Sequence, residues 1–565
     1  MRRPVDTDVL RSTAPASRPV PPTDEGWWRT AVIYQIYVRS FADGNGDGIG
    51  DLAGVRSRLG YLKSLGVDAL WFTPWYRSPL ADGGYDVQDY RAIDPRFGTL
   101  EEAELLIAEA LELGIRTIVD IVPNHISDRH EWFRQALAAG PGSPERERFW
   151  FHPGRGADGS GIPTNWVSSF QGETWTRTRN ADGTPGEWYL HLFTPQQPDL
   201  NWNHPDVRRE HEEVLRFWFD RGVAGVRIDS AALPAKDPAL PDLPAGSAPA
   251  ENHPHIDRDE LHDIYREWRA VADDYAGERV LVGEVWLDDA ERFARYLRPG
   301  EMHTAFNFGF MTQPWDAAAM RASITRTLAE HAPVGAPATW VLSNHDVTRP
   351  VTRYGQADSS FAFERKRFGT ATDTARGLRR ARAAALLVAA LPGSLYVYQG
   401  DELGLPEVEL PLDAIEDPMH FRSHGVDPGR DGCRVPLPWA GDASPYGFGG
   451  APWLPQPADW AGLTVDAQEL DPASTLHLYR AAIRLRREVH DLANGELSWL
   501  ELGSDVLAFR RGDDTVSITN LGATPIPLPA HHAVLLSSTP LDGTLPADAT
   551  AWLTLRPART GRAPH

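Results

Sequence analysis

The sequence predicts an α/β fold: eight parallel strands, each followed by a helix, close into a (β/α)8 barrel, with a domain inserted after the third strand and an antiparallel β-domain at the C-terminal end. Three observations predict it. From Ala31 onward, apolar strand-like runs alternate with amphipathic helical stretches, the pattern of a parallel sheet wrapped in helices. Four of the runs, 116–125, 225–232, 279–286 and 338–346, end in ionisable residues. A barrel gathers its strand ends at one face, where its chemistry is kept.

The eight strand runs are 31–41, 69–75, 117–125, 225–231, 280–285, 304–308, 339–346 and 394–404. Stretches such as 100–114 and 207–222 carry helical periodicity and end in Gly, a common helix stop. The rhythm breaks after His125, where a Gly-, Trp- and Pro-rich segment without helical period reads as a small inserted domain over 126–199. Such an insert, placed in a loop at the C-terminal face, walls a substrate pocket. A second long excursion, 405–439, follows the eighth strand. Beyond the helical run 474–492, short alternating segments separated by Gly, Asp and Pro predict the β-domain over 493–565. The barrel is then expected in two parts, 27–125 and 200–492, and residues 1–26, rich in Pro, Ser, Thr and Asp, are expected to form a flexible arm.

A formal charge of −22 excludes a nucleic-acid or anionic-membrane partner and favours a neutral small molecule. One cysteine, Cys433, excludes an internal disulfide framework and fits a reducing compartment. No apolar run has the length of a membrane span or a secretory signal core, so a cytoplasmic location is expected. Twenty Trp, several beside polar residues (Trp166, Trp188, Trp202), suggest stacking surfaces for sugar rings.

Cleaving a glycosidic bond takes one carboxylate at the anomeric carbon and one carboxylic acid at the leaving oxygen. Asp229 and Glu284, at the ends of successive strands, supply the two groups. Arg227, two residues before Asp229, faces the same side of its strand and is expected to keep that carboxylate ionised and lower its pKa. His125 and His345 can donate to ring hydroxyls, and the two oxygens of Asp346 can hold adjacent hydroxyls. In the Gly-rich loop 43–51, Asp43, Asn45, Asp47 and Asp51, with a backbone carbonyl such as that of Ile49, offer the alternating oxygens a hard cation needs. Gly54 stands where an EF-hand would place its Glu, which excludes that motif.

Together these segments resemble glycoside hydrolase family 13, the α-amylase superfamily of TIM-barrel enzymes, and within it the bacterial α-glucosidase and oligo-1,6-glucosidase branch. The resemblance rests on 46–51 (GDGIGD), 120–125 (DIVPNH), 197–201 (QPDLN), 225–229 (GVRID), 284–286 (EVW) and 344–346 (NHD). It implies a retaining mechanism with Asp229 as nucleophile, Glu284 as general acid and then base, and Asp346 holding the distorted glucosyl ring. It implies further that Asp82, Tyr85, His125, Arg227 and His345 form the first glucose subsite, with Arg430 or Arg434 pairing Asp82, and that Phe170, Phe193 and Gln197 line it. Asp43, Asn45, Asp47, Ile49 and Asp51 match the family's calcium loop, so structural Ca2+ and no organic cofactor are expected.

In this branch Val after the nucleophile goes with α-1,6 linkages and Ala or Thr with α-1,4. Here it is Ser230, small and polar, which leans toward α-1,4. Val226, Gly309 and Asp401 are further departures, outside the three carboxylates. The expected activity is release of glucose from the non-reducing end of short α-glucosides. Transglucosylation, or hydrolysis of sucrose, trehalose or α-1,6-glucosides, is the alternative use of the same residues.

Overall fold

The computed structural model describes residues 25–180, 182–244 and 253–556. The arm expected over 1–26 therefore lies outside the described residues except for its last two positions, and the β-domain is described to residue 556.

All eight strands are present: β1 (Val32–Ile36), β2 (Ala69–Phe72), β3 (Arg116–Ile121), β4 (Gly225–Ile228), β5 (Val280–Gly283), β6 (Thr304–Ala305), β7 (Thr339–Val341) and β8 (Ser394–Tyr398). They pair in parallel in the order β6-β5-β4-β3-β2-β1-β8-β7. The short sixth and seventh strands close the ring through the Asn307 N–H, which donates to the Thr339 carbonyl at 3.1 Å, and through touching Thr304 and Thr339 hydroxyls.

Every β1, β2, β4 and β5 residue is buried, as expected of strands covered on both faces. Alternation sorts them. Ile33, Trp71, Ile118, Val282 and Val341 fill the barrel, while Tyr34, Leu70, Val119, Val226 and Leu281 pack outward against the helices. The same parity points Asp120, Arg227, Asp229, Glu284 and His345 inward at the C-terminal end.

One outer helix, Leu100–Glu112, starts at a capping box: Thr99 accepts from the Glu102 N–H, and Glu102 accepts from the Thr99 N–H at 2.9 Å. Between β3 and β4 lies a three-stranded antiparallel sheet, Phe151–His152, Pro185–Leu190 and Trp175–Arg179, around Trp150, Trp166 and Trp175. At the other end of the chain β9 (Leu497–Leu500), β10 (Val506–Arg511), β11 (Thr515–Asn520), β12 (Ala533–Ser537) and β13 (Ala549–Thr554) form an antiparallel sheet in the order β9-β10-β11-β13-β12. It docks on the helix Thr374–Ala390, whose Leu386 carbonyl accepts from the Trp552 indole at 3.1 Å. Among the described residues no helix is long and apolar enough to cross a membrane.

Candidate active site

At the C-terminal face of the barrel a cavity of about 430 Å³ opens, a size suited to a small ligand. Asp229, Ser230, Glu284 and Asp346 line it from the barrel, with Asp82, Tyr85 and His125 beside them. Phe170 and Phe193 enter from the inserted segment and Arg430 from the loop after β8. Gln197, Arg227, His345 and Arg434 stand directly behind these residues.

Arg227 is the hub of one wall. Its Nη1 donates to Asp229 Oδ1 at 2.7 Å and to both oxygens of Asp120 at 2.9 and 3.0 Å, while Nη2 meets Glu284 Oε2 at 2.5 Å. The β3–β4 register, which sets Asp120 opposite Arg227, makes this possible. Three buried carboxylates thus share one cation. The outcome corrects the expectation for Asp229: burial, reinforced by Glu284 and Asp120, outweighs Arg227 and pushes its pKa well above the ordinary value. Asp120 is pushed up by burial to about 7 in spite of Arg227.

Beyond Asp229 the chain turns at Ser230, whose φ of 45° lies in the left-handed region. For a non-glycine residue this costs of order 1 kcal/mol, and it is what points the Ser230 N–H at Glu284 Oε2 at 3.0 Å. The Ser230 side chain bonds Asp229, so one residue touches both carboxylates. Trp286 holds the other Glu284 oxygen at 3.0 Å and stacks on Phe308 with ring centroids 3.9 Å apart.

The opposite wall is richer in cations. Asp346 Oδ1 accepts from Arg434 Nη2 at 2.8 Å and Arg430 Nη1 at 3.2 Å. Burial raises its pKa, but His345 and the two guanidinium groups prevail and hold Asp346 well below the usual carboxylate range. Arg430 also meets Asp82 at 2.5 Å and Asp417 at 2.8 and 2.9 Å. Of the two arginines the sequence offered, Arg430 is therefore the partner of Asp82. The Arg430–Asp82 pair joins the loop after β2 to the loop after β8 at the cavity lining.

Tyr85 lies parallel to His345, with centroids 5.3 Å apart and planes at 9°, and its hydroxyl donates to Asp120 at 3.0 Å. Gln35 is 2.6 Å from His345 Nδ1. Gln197 donates to Asp82 at 3.0 Å, and His125 packs against Phe193 at 4.9 Å. Burial first, then the Lys236 charge, lowers the His125 pKa to about 3, so this ring is neutral at working pH.

Several contributors escaped the sequence reading. Asp120 was legible in principle, since it shares inward parity with Ile118, but nothing local marks its partner. Asp417 sits in an irregular loop with no periodic signal. Trp286, Phe363, Glu364 and Met419 also line the cavity. The tryptophans singled out beside polar residues do not: Trp166 and Trp202 are buried at 3% and 2% exposure, because an indole is worth more in a core than on a rim.

The loop 43–51 folds on itself. Asp43 accepts from the N–H groups of Asn45, Gly46, Gly48 and Gly450, and Asp51 from those of Gly44, Asn45 and Gly54. Against burial, which raises it, those amides hold the Asp43 pKa below its ordinary value. The oxygen donor set suits a hard cation. Its carboxylates are engaged by the loop's own amides, however, and among the described residues no three acidic, His or Cys side chains are grouped to hold a metal ion.

The sequence matches the α-amylase catalytic domain over residues 35–495. The chain belongs to the α-amylase family. A probable α-glucosidase of Rhizobium meliloti (strain 1021) is 38% identical over 86% of this chain and 87% of its own length. The oligo-1,6-glucosidase of Parageobacillus thermoglucosidasius is 35% identical over 82% and 84%. Among solved structures, the α-glucosyl transfer enzyme XgtA superposes with a TM-score of 0.82 at 34% identity, covering 94% of this chain and 99% of that one. Trehalulose synthase MutB from Pseudomonas mesoacidophila MX-45 gives 0.81 at 30%, covering 94% and 99%. The barrel and the membership of the glycoside hydrolases stand on these relatives as well as on the strands.

Proposed function

We propose that this member of the α-amylase family is a retaining, exo-acting α-glucosidase that removes glucose from short α-glucosides, maltose-type linkages first. Asp229 attacks the anomeric carbon while Glu284 protonates the leaving oxygen. A glucosyl–Asp229 ester forms, and Glu284 then takes a proton from the water that opens it. Asp346, ionised between Arg430 and Arg434, accepts hydrogen bonds from ring hydroxyls. The observation that carries the reading is the pairing of Asp229 and Glu284 on one guanidinium within a cavity whose lining Arg430 and Asp82 cross-link. We read that cross-link as the wall behind one terminal sugar, which makes the action exo.

Transfer of glucose to a sugar acceptor is the second reading, favoured by the relatives that carry out glucosyl transfer or trehalulose synthesis. Incubation with concentrated maltose, isomaltose, sucrose and trehalose, with products resolved by chromatography, tests both. Glucose as the sole product from maltose supports hydrolysis. Oligosaccharides longer than the substrate support transfer, and no cleavage of any of the four overturns both.

The reading includes Ca2+ at the 43–51 loop, supported by its alternating oxygens; the ion would replace amide partners of Asp43 and Asp51. A ligand held by the native state alone raises Tm. Calcium is expected to raise Tm and a chelator to lower it, and coincident melting curves would remove calcium from the proposal.

A further inference from the structure

The carboxyl group of Glu284 is met by three donors, shared unequally between its two oxygens. Oε2 accepts from Arg227 Nη2 at 2.5 Å and from the Ser230 N–H at 3.0 Å. Oε1 accepts, among the described residues, from the Trp286 indole alone, at 3.0 Å. Guanidinium, amide and indole N–H groups donate and cannot accept. A protonated carboxyl group offers such donors two lone pairs on its carbonyl oxygen and one beside its O–H. The sharing of two donors and one therefore fits a neutral acid with its proton on Oε1, whereas a proton on Oε2 would leave one lone pair to two donors. Arg227 is fully buried, so Oε2 faces the barrel and Oε1 is left to the cavity that Glu284 and Trp286 both line. The indole is itself held from two sides. It stacks on Phe308, after β6, with centroids 3.9 Å apart and planes at 12°, and Phe363, in the loop after β7, meets it at 5.4 Å and 63°. Phe308 is buried at 3% exposure and lies outside the cavity lining.

We propose that Trp286 is a positioning residue of proton delivery: its indole N–H takes the one lone pair of Glu284 Oε1 and so turns the Oε1–H toward the glycosidic oxygen of the bound sugar. As the anomeric C–O bond breaks, its electron pair stays on the leaving oxygen, which takes the proton from Oε1. The Asp229 carboxylate forms the new bond to carbon, and Glu284 is left as an anion. Trp286 exchanges no proton; it acts through Glu284. This rests on the glucosidase reading with Glu284 as the acid, and adds which oxygen carries the proton and what aims it.

The test uses the full chain and a series of α-glucosides, dinitrophenyl, nitrophenyl and phenyl, whose leaving oxygens need a proton to a rising degree. Their kcat/KM values report the step in which the leaving group departs. Glu284→Gln sets the scale, with a loss that grows steeply along the series. Trp286→Phe keeps an aromatic ring beside Phe308 and Phe363 but has no N–H. Its loss is expected to be about tenfold greater for the phenyl than for the dinitrophenyl glucoside, the size of one hydrogen bond to an ionisable group. Phe308→Leu keeps both the N–H and the cavity lining and loosens only the stack, so a smaller growth along the series is expected. A merely structural role would lower all three substrates alike. Equal losses along the series in Trp286→Phe overturn the proposal; if that variant does not fold, equal losses in Phe308→Leu do so. A native chain that cleaves none of the glucosides would instead remove the glucosidase reading, and a Glu284→Gln loss that does not grow along the series would remove its acid; either takes the proposal with it.

Discussion

The two walls of the cavity are built from the same residue types in different proportions. Around Arg227, three buried carboxylates answer to one guanidinium; around Asp346, two guanidinium groups converge on one carboxylate. In the first wall Asp229 and Asp120 are both pushed up by burial that one cation cannot offset. The second wall sheds its proton, and Asp346 is held low although it too is buried. Equal burial with unequal cation supply thus pushes the carboxyl pKa values of the two walls apart.

The most severe way to break the first wall is to remove a reacting group. Asp229→Ala and Glu284→Gln are each expected to lower kcat on maltose by roughly 10³-fold or more, the range for loss of a nucleophile or general acid, with the circular dichroism spectrum unchanged. Glu284→Gln with near-native turnover would strip the acid role from Glu284.

Asp120→Asn should act more gently and in a revealing direction. It removes one like charge from beside Asp229 while an amide oxygen still accepts from Arg227. The Asp229 pKa should then fall toward its ordinary value, and the acid limb of the kcat/KM–pH profile should move down by roughly one unit. An unmoved limb would mean that the shared cation does not set the proton balance. Stability should respond as well. Asp120, with a folded pKa near 7 against an unfolded value near 3.9, binds its proton more tightly when folded. Its contribution is complete below about pH 4 and is lost as pH rises through 7. Melting temperature should accordingly decline less between pH 4 and 7 in Asp120→Asn than in the native chain.

The contrast between the walls also marks where sequence reasoning stops. The eight strands are legible because strands buried on both faces read as continuous apolar runs, and Arg227 and Asp229 read as one inward face because side chains alternate. The strength of Arg227 as a pKa-lowering partner is not legible, since it depends on the β3–β4 register that sets Asp120 opposite it. Asp417 and Phe363 reach the site from irregular loops, where no period announces direction. Trp166 and Trp202 show the converse error: composition counts aromatics but does not say which of them face a cavity.

Ser230 offers the finest adjustment, because its N–H holds Glu284 and its side chain holds Asp229. Two substitutions separate these contacts from simple bulk. Ser230→Ala keeps the N–H bond and loses the hydroxyl, so the acid limb should rise slightly while the ratio of isomaltose to maltose hydrolysis stays put. Ser230→Val adds a branched side chain at the cavity lining, in a backbone region that β-branched residues enter at a cost of about 1 kcal/mol or more. It should raise the isomaltose-to-maltose ratio severalfold, since each methyl-sized change in a pocket is worth about 1–3 kcal/mol of discrimination. A ratio that does not move in Ser230→Val, alongside a shifted limb in Ser230→Ala, would assign Ser230 to the proton balance of the first wall and remove it from linkage choice.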